Sequence, residues 1–396
     1  MRVLLSTIGS RGDVQPMVGL AVALRALGHE ARLCVPPDFR QWIEGLGFQV
    51  TAIGPELRAT GKANPSAAPP TLEQRRLMIE GTVAAQFETI AAAAEGCDLI
   101  VGATTLQIAG PSVAERLGLS YVFAAYCPAV IPASHHAPPV LTMLGDKPAP
   151  AGSDYGPLWA QDRQRWNMMW GAALNSRRAT LGLAPVDDVL GHVLTARPWL
   201  AADDTLAPWP DAESNAVFQT GAWLLEDEQR LPDELIAFLD AGDPPVYFGF
   251  GSIRAVPGIS RSMIDAARSL GLRAIVSRGW AELALIDDQP DCLSIGDVNH
   301  TALFKRVAAV VHHGGAGTTT AATRAGAPQV LIPQHYDQFY FAERVRQLGI
   351  GASATVDSLN GALADALQSQ TATRAKSTAL RVRADGAMVA ARALTL

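Results

Sequence analysis

The chain has 396 residues, 48% of them hydrophobic and only 18% charged, with a formal net charge of −6. Such a length predicts two or three domains with large buried cores. The acidic balance excludes the basic footprint on which nucleic-acid binding depends, so nucleic acid is not an expected partner.

No run of 18 apolar residues occurs, and no membrane span is expected. The first residues enter a strand-like segment without an apolar h-region or cleavage site, which predicts no signal peptide. The four cysteines, Cys34, Cys97, Cys127 and Cys292, form no C-x-x-C pattern and read as buried thiols of a cytoplasmic protein.

In chain order, residues 3–7 read as a strand, followed by Gly9-Ser10-Arg11-Gly12-Asp13. A helix is predicted over 16–27, with Met17, Leu20, Ala21, Leu24 and Leu27 at helical spacing, Pro16 in its first turn and Gly28 at its end. A strand at 31–35, a helix at 39–46 and a strand at 48–53 follow. This alternation predicts a parallel sheet with helices on both faces. The pattern breaks over 54–70, which reads as a functional or disordered loop. It resumes with a helix at 72–95, a strand at 99–103, a helix at 108–117 and a strand at 121–125. The proline-rich stretch 128–157 carries His135 and His136, with no cysteine or acidic pattern for a metal. Trp159, Trp166, Met168, Met169 and Trp170 come next. Two readings fit this group: core packing, or a surface for a large apolar acceptor. Around 202–211 the periodicity stops and proline and aspartate rise, as at a domain boundary. Beyond it a helix near 231–239, a strand at 246–251, a helix at 263–270 and strands at 274–277, 307–311 and 330–332 repeat the alternation. A helix at 338–348 and two C-terminal helices complete it.

The stretch from Ala308 to Ala322 concentrates the chemistry. A short apolar run leads into His312-His313-Gly314-Gly315-Ala316-Gly317-Thr318-Thr319-Thr320. After such a turn the first N–H groups of the helix lack intrahelical partners and suit a phosphate. His313 stands at the mouth of the turn as a further donor, and the threonines supply hydroxyls. Glycine used only for the geometry of the turn is the plainer reading. No Gly-Lys-Ser/Thr follows, and no G-x-G-x-x-G with a distant acid is present, so neither a Walker loop nor a dinucleotide fingerprint is met. Ligands of parallel sheets bind beyond the carboxyl ends of the strands. The loops 9–13, 251–254, 278–280, 312–318 and 333–338 all lie at such ends.

Taken together, His-His-Gly-Gly-Ala-Gly-Thr-Thr at 312–319, Pro-Gln-His-Tyr-Asp-Gln at 333–338, Gly-Ser-Arg-Gly-Asp at 9–13 and Phe-Gly-Ser at 250–252 resemble the GT-B glycosyltransferases. The resemblance is closest to the actinobacterial enzymes that decorate glycopeptide antibiotics of the vancomycin and teicoplanin type. Sterol glucosyltransferases are more distant. It runs essentially from end to end. Arg-Leu-Cys-Val-Pro-Pro-Asp at 32–38 and Gln-Thr-Gly-Ala-Trp at 219–223 also fit the glycopeptide group.

The resemblance implies an α/β chain of two Rossmann-like domains facing across a deep cleft. An acceptor domain would span 1–204, a linker 205–216 and a nucleotide-sugar domain 217–396, the last helix being placed to pack back on the first domain. It implies transfer of a sugar from a UDP-hexose, UDP-N-acetylglucosamine or dTDP-deoxysugar to a hydroxyl of a glycopeptide aglycone. The transfer would proceed with inversion, without metal or other cofactor, in a monomer. The absence of any Asp-x-Asp agrees with the expected lack of a metal. An auxiliary binding protein without catalysis, or a sterol- or macrolide-type acceptor, are the alternatives. A phosphorylase is disfavoured because no lysine lies between Lys147 and Lys305.

The implied roles fall on particular residues. Asp13 is the expected general base, with helix capping as its other reading. Asp337 is the runner-up base and, with Gln338, the expected partner of sugar hydroxyls; capping of the 338–348 helix is its other reading. Ser10, Arg11, Gly12 and Ser252 would touch the diphosphate, unless Arg11 is a surface charge. His313, Gly315, Ala316, Gly317 and Thr318 would complete that site, with Gln334 nearby. Arg278, Trp280 and Val298 fall where relatives hold the nucleoside, with core packing the alternative for Trp280. Acceptor choice is expected in loops 54–71 and 126–170.

Overall fold

The computed structural model describes residues 1–60, 71–142, 145–150, 152–210, 216–252, 258–280 and 282–396. Most of loop 54–71, parts of loops 126–170 and 251–254, and the linker segment 211–215 therefore lie outside the described residues.

Two parallel sheets form the frame. The first runs in the order β3 (Gln49–Ala52), β2 (Glu30–Val35), β1 (Arg2–Thr7), β4 (Leu99–Ala103), β5 (Ser120–Ala125), β6 (Trp199–Leu200) and β7 (Phe218–Gln219). The second runs β10 (Cys292–Ile295), β9 (Ala274–Ser277), β8 (Val246–Gly249), β11 (Ala309–His312), β12 (Gln329–Leu331) and β13 (Gly351–Ser353). Their central strands are apolar without alternation because helices cover both faces: Val3, Leu4 and Leu5, like Val310 and Val311, are wholly buried. Each sheet starts at its centre and reverses direction there, so each has a switch point, between β1 and β4 and between β8 and β11.

Several expectations need correction. The first helix spans Arg11–Ala26, five residues earlier than expected. Its N-cap is Ser10, whose backbone N–H donates to Asp13 Oδ2 at 2.6 Å, and Pro16 lies inside the helix rather than in its first turn. The first sheet also extends past the expected linker. Phe218–Gln219 pair in parallel with β6, so the first sheet reclaims residues assigned to the second domain. A 25-residue helix, Gly156–Thr180, replaces the irregular end of the proline-rich stretch. It divides the aromatic group: Trp159 is buried, Trp166 and Trp170 pack partly against the core, and Met168 is exposed. Three helices, Leu359–Ala366, Ser369–Ala379 and Gly386–Leu394, follow the helix Gln338–Leu348 where two were expected.

The last of these lies against the first helix, burying Ala387, Ala390, Ala391 and Leu394 in the same core as Met17 and Leu20. The chain thus passes between the halves twice, and glycines meet where it does. A Cβ on Gly386 would stand 2.4 Å from the carbonyl carbon of Gly221. Gln219 fastens this region: its side chain donates to the carbonyls of Ala202 and Ala207 and accepts from the Trp209 N–H. The core on one face of the first sheet continues into Phe341, Ala342 and Val345 of the helix Gln338–Leu348. All four cysteines are free and buried. Among the described residues no helix is long and apolar enough to cross a membrane.

Candidate functional site between two switch points

The strand ends bring the unusual loops of both halves to one place. From the first sheet come 8–13 after β1 and 104–107 after β4. From the second come 250–252 after β8, 313–318 after β11 and 333–338 after β12.

The glycine turn opens a helix whose first N–H groups are left without backbone partners among the described residues. Gly314 takes φ +97° and Gly315 caps the helix Ala316–Ala325. Among the described residues, the N–H groups of Gly315, Ala316, Gly317 and Thr318 find no backbone acceptor. The two histidines separate in role. His312 ends β11 fully buried; its Nε2–H donates to Gln329 Oε1 at 3.0 Å and its Nδ1 accepts the Gly314 N–H at 3.1 Å. It shapes the turn from beneath. His313 faces the site, and its ring sits so close to Gly315 that a Cβ there would meet Nε2 at 2.6 Å. Its Nδ1 is buried without a hydrogen-bond partner. Burial, then the neighbouring His312 and His335, push its pKa down to about 3, so the ring is neutral. The threonines separate as well. Thr319 and Thr320 turn their hydroxyls back to the carbonyls of Gly315 and Ala316, and Thr318 alone makes no such bond.

Asp13 serves as a cap and is also perturbed as an acid. Its Oδ2 accepts the Ser10 N–H and, at 3.2 Å, the Ser10 hydroxyl. Burial nevertheless raises its pKa to about 6, against those hydrogen bonds. Gly9 leaves the room for it, since a Cβ there would lie 2.2 Å from Asp13 Oδ2. The Tyr126 hydroxyl donates to the Asp13 carbonyl at 3.0 Å. Asp337 is raised further, to about 7, first by burial and then by the negative charge of Asp13. It precedes the helix Gln338–Leu348, yet its side chain makes no capping bond. Gln338 Oε1 accepts the backbone N–H groups of Gln334 and His335, which leaves its amide N–H as the free end. Gln334 Nε2 is buried and unpartnered.

Arg278, Gly279 and Trp280 line a cavity of about 480 Å³ with Gly296 and Asp297. The Trp280 ring stacks on Phe39 of the first half at 5.8 Å between centroids, so one of its faces is already covered. Gly279 takes φ +51° with a would-be Cβ 2.4 Å from the Gly251 carbonyl oxygen, placing Ser252 beside this strand end. Val298 is half-buried and packs on the apolar cluster under β9 and β11, and it does not line the cavity. Arg11 is engaged at the rim. It pairs with Asp297 at 3.2 Å, lies over the Trp42 ring at 4.7 Å and donates from Nε to Gln15 Oε1, so it ties the halves together at their exposed rim. Gly12 is exposed beside it. His135 and His136 pack edge-on with Trp209, and His136 with Trp159. Among the described residues no three His, Cys, Asp or Glu side chains converge as a metal site.

Comparison with known proteins then decides the family. Residues 3–132 match the model of the glycosyltransferase family 28 N-terminal domain, and residues 262–391 that of the erythromycin biosynthesis protein CIII-like C-terminal domain. The chain is 50% identical to the glycosyltransferase GtfE of Amycolatopsis orientalis, over 99% of this chain and 96% of that one. It is 48% identical to the vancomycin aglycone glucosyltransferase of the same organism, over 100% and 97%. The chain belongs to the vancomycin-type GT-B glycosyltransferases. The glycotransferase of kitacinnamycin shares the fold, with a TM-score of 0.72 at 18% identity over 100% of this transferase and 98% of that chain.

Two parts of the site escaped sequence reasoning. Loop 104–107 of the transferase follows β4 without any glycine signature, and its sheet position alone marks it. Arg58 lines the cavity from the first half, beside Arg278. It is placed by Asp38, which accepts the Leu57 and Arg58 backbone N–H groups. Asp38 closes the 32–38 segment that carried part of the resemblance; its link to Arg58 is a contact over 20 residues that no local pattern announces.

Proposed function

We propose that this transferase moves a sugar from a UDP or dTDP donor to a hydroxyl of a glycopeptide aglycone, with inversion and without a metal. The observation that carries this reading is the pairing of two buried, raised carboxylates, Asp13 and Asp337, from opposite halves beside an anion turn. The kinship to the vancomycin aglycone glucosyltransferase supports the acceptor class.

The chemistry follows from the placement. The acceptor hydroxyl attacks the anomeric carbon and gives its proton to Asp13. A carboxylate with pKa about 6 is ionised at neutral pH yet basic enough to take a proton in the transition state. Asp337, at about 7, holds the sugar hydroxyls together with the Gln338 amide. Charge gathering on the departing diphosphate meets the N–H groups of Gly315, Ala316, Gly317 and Thr318, the neutral His313 ring, and Ser10, Gly12 and Ser252. Fixed donors of this kind contribute roughly 2.7–4 kcal/mol each to a transition state. The nucleoside enters the cavity at Arg278 and Trp280, and Gln334 turns its unpartnered amide to the sugar. Arg11 acts through closure of the rim rather than on phosphate.

The test is transfer to vancomycin aglycone from a panel of nucleotide sugars, read by mass spectrometry with the product anomer assigned by NMR. Asp13→Ala is expected to reduce the rate at least about a hundredfold. EDTA is expected to leave it unchanged. A wild-type rate in Asp13→Ala would move the base elsewhere, and loss of transfer in EDTA would refute metal independence.

A further inference from the structure

Two residues on opposite sides of the cleft hold a backbone conformation that residues other than glycine avoid. Thr104 has φ +66° and Tyr336 φ +60°. Strain of this kind persists only where the surroundings impose it, and it gathers at functional sites. Thr104 follows β4, and its hydroxyl donates to the Ile8 carbonyl at 3.1 Å. Tyr336 follows β12 and immediately precedes Asp337.

Between these strained positions runs one hydrogen bond from half to half. Thr105 Oγ1 and the Tyr336 hydroxyl lie 3.0 Å apart. The Tyr336 N–H donates to the Val140 carbonyl at 2.8 Å, forming an isolated antiparallel bridge. The Thr142 hydroxyl donates to the Gln334 carbonyl at 3.0 Å. Residues 334–336 are therefore fastened at three points to the first half, and all three bonds exist only while the halves are together. Asp337 makes no capping bond of its own, so the fastening of its neighbour fixes where its carboxylate stands.

We propose that Thr105 and Tyr336 are positioning residues, a clamp that forms as the cleft closes and sets Asp337 against the sugar. This rests on the assignment of Asp337 made above. The clamp touches no reacting atom. Its expected signature is a loss in turnover without a loss in donor binding.

The test compares Thr105→Val, Tyr336→Phe, their double variant and Asp337→Asn in the full chain, with UDP-glucose and vancomycin aglycone as probes. Each clamp variant should lower kcat about tenfold, the scale of one ordinary hydrogen bond, with the donor KM within about twofold of wild type. The double variant should lose no more than either single one, because both remove the same bond. Melting temperatures separate this from unfolding, and Thr105→Val carries the test if Tyr336→Phe does not fold. Wild-type kcat in both single variants, with Asp337→Asn inactive, would overturn the clamp alone. Additive losses in the double variant would overturn it too. Wild-type kcat in Asp337→Asn would overturn the assignment of Asp337, and the clamp with it.

Discussion

Asp337→Asn should make the protein more stable at alkaline pH while impairing transfer. The reason lies in the sign of the shift. Burial and the charge of Asp13 raise the Asp337 pKa from 3.8 to about 7. The folded state therefore holds a proton that the unfolded state releases, and stability falls as pH rises through that window. About three units at 1.36 kcal/mol each give a cost of roughly 4 kcal/mol once pH exceeds about 7, an upper figure because the residue as a whole is half-buried. Below about pH 4 the cost vanishes, since the group is then protonated in both states. Asparagine carries no charge to bury. For the domain that holds it, about 2–4 °C per kcal/mol converts this into a rise in Tm of up to roughly 16 °C at pH 8. The assay is a pair of thermal melts, wild type against variant, at pH 4.5 and pH 8. A Tm gain at pH 8 that shrinks at pH 4.5 is expected. An equal or lower Tm at pH 8 would refute the view that this site holds its carboxylate against its own solvation.

Gly9→Ala should act through Asp13 without touching the donor turn. Its methyl would stand 2.2 Å from Oδ2, forcing the carboxylate aside, so transfer should fall at least about tenfold while binding of UDP alone, read by calorimetry, is kept. Arg58→Ala should weaken binding of a nucleotide sugar severalfold with little change in kcat, because Arg58 lines the cavity, whose lining includes no residue of the 313–318 turn. Unchanged affinity would remove Arg58 from the donor site.

Much of this architecture is legible in local sequence, and the exceptions have physical causes. The buried central strands declare themselves because they are continuous apolar runs, as at Leu99–Ala103. β13 does not, because Gly351-Ala352-Ser353 offers small residues without a period, and its strand identity comes from pairing with β12. β7 is two residues long and exists only through its ladder to β6. Pro16 misplaces the first helix because proline favours a first turn, whereas the Ser10–Asp13 pair nucleates the helix earlier. In the site, the glycine turn reads directly from its residues. The division of labour between His312 and His313 does not, since one points into the sheet and the other out of it. The Arg11–Asp297 pair is hidden for a related reason: its two members lie 286 residues apart.

The double passage of the chain between the halves, glycine against glycine at Gly221 and Gly386, has a mechanical consequence. A single tether lets two bodies swing and twist freely. Two tethers crossing at one point leave mainly rotation about that point, so the rims bearing Arg11 and Asp297 travel far while the pivot scarcely moves. The same arrangement makes the molecule tolerant of a break. A protease that severed the chain near residue 222 would leave the last helix still docked on the first, and the two fragments would stay joined.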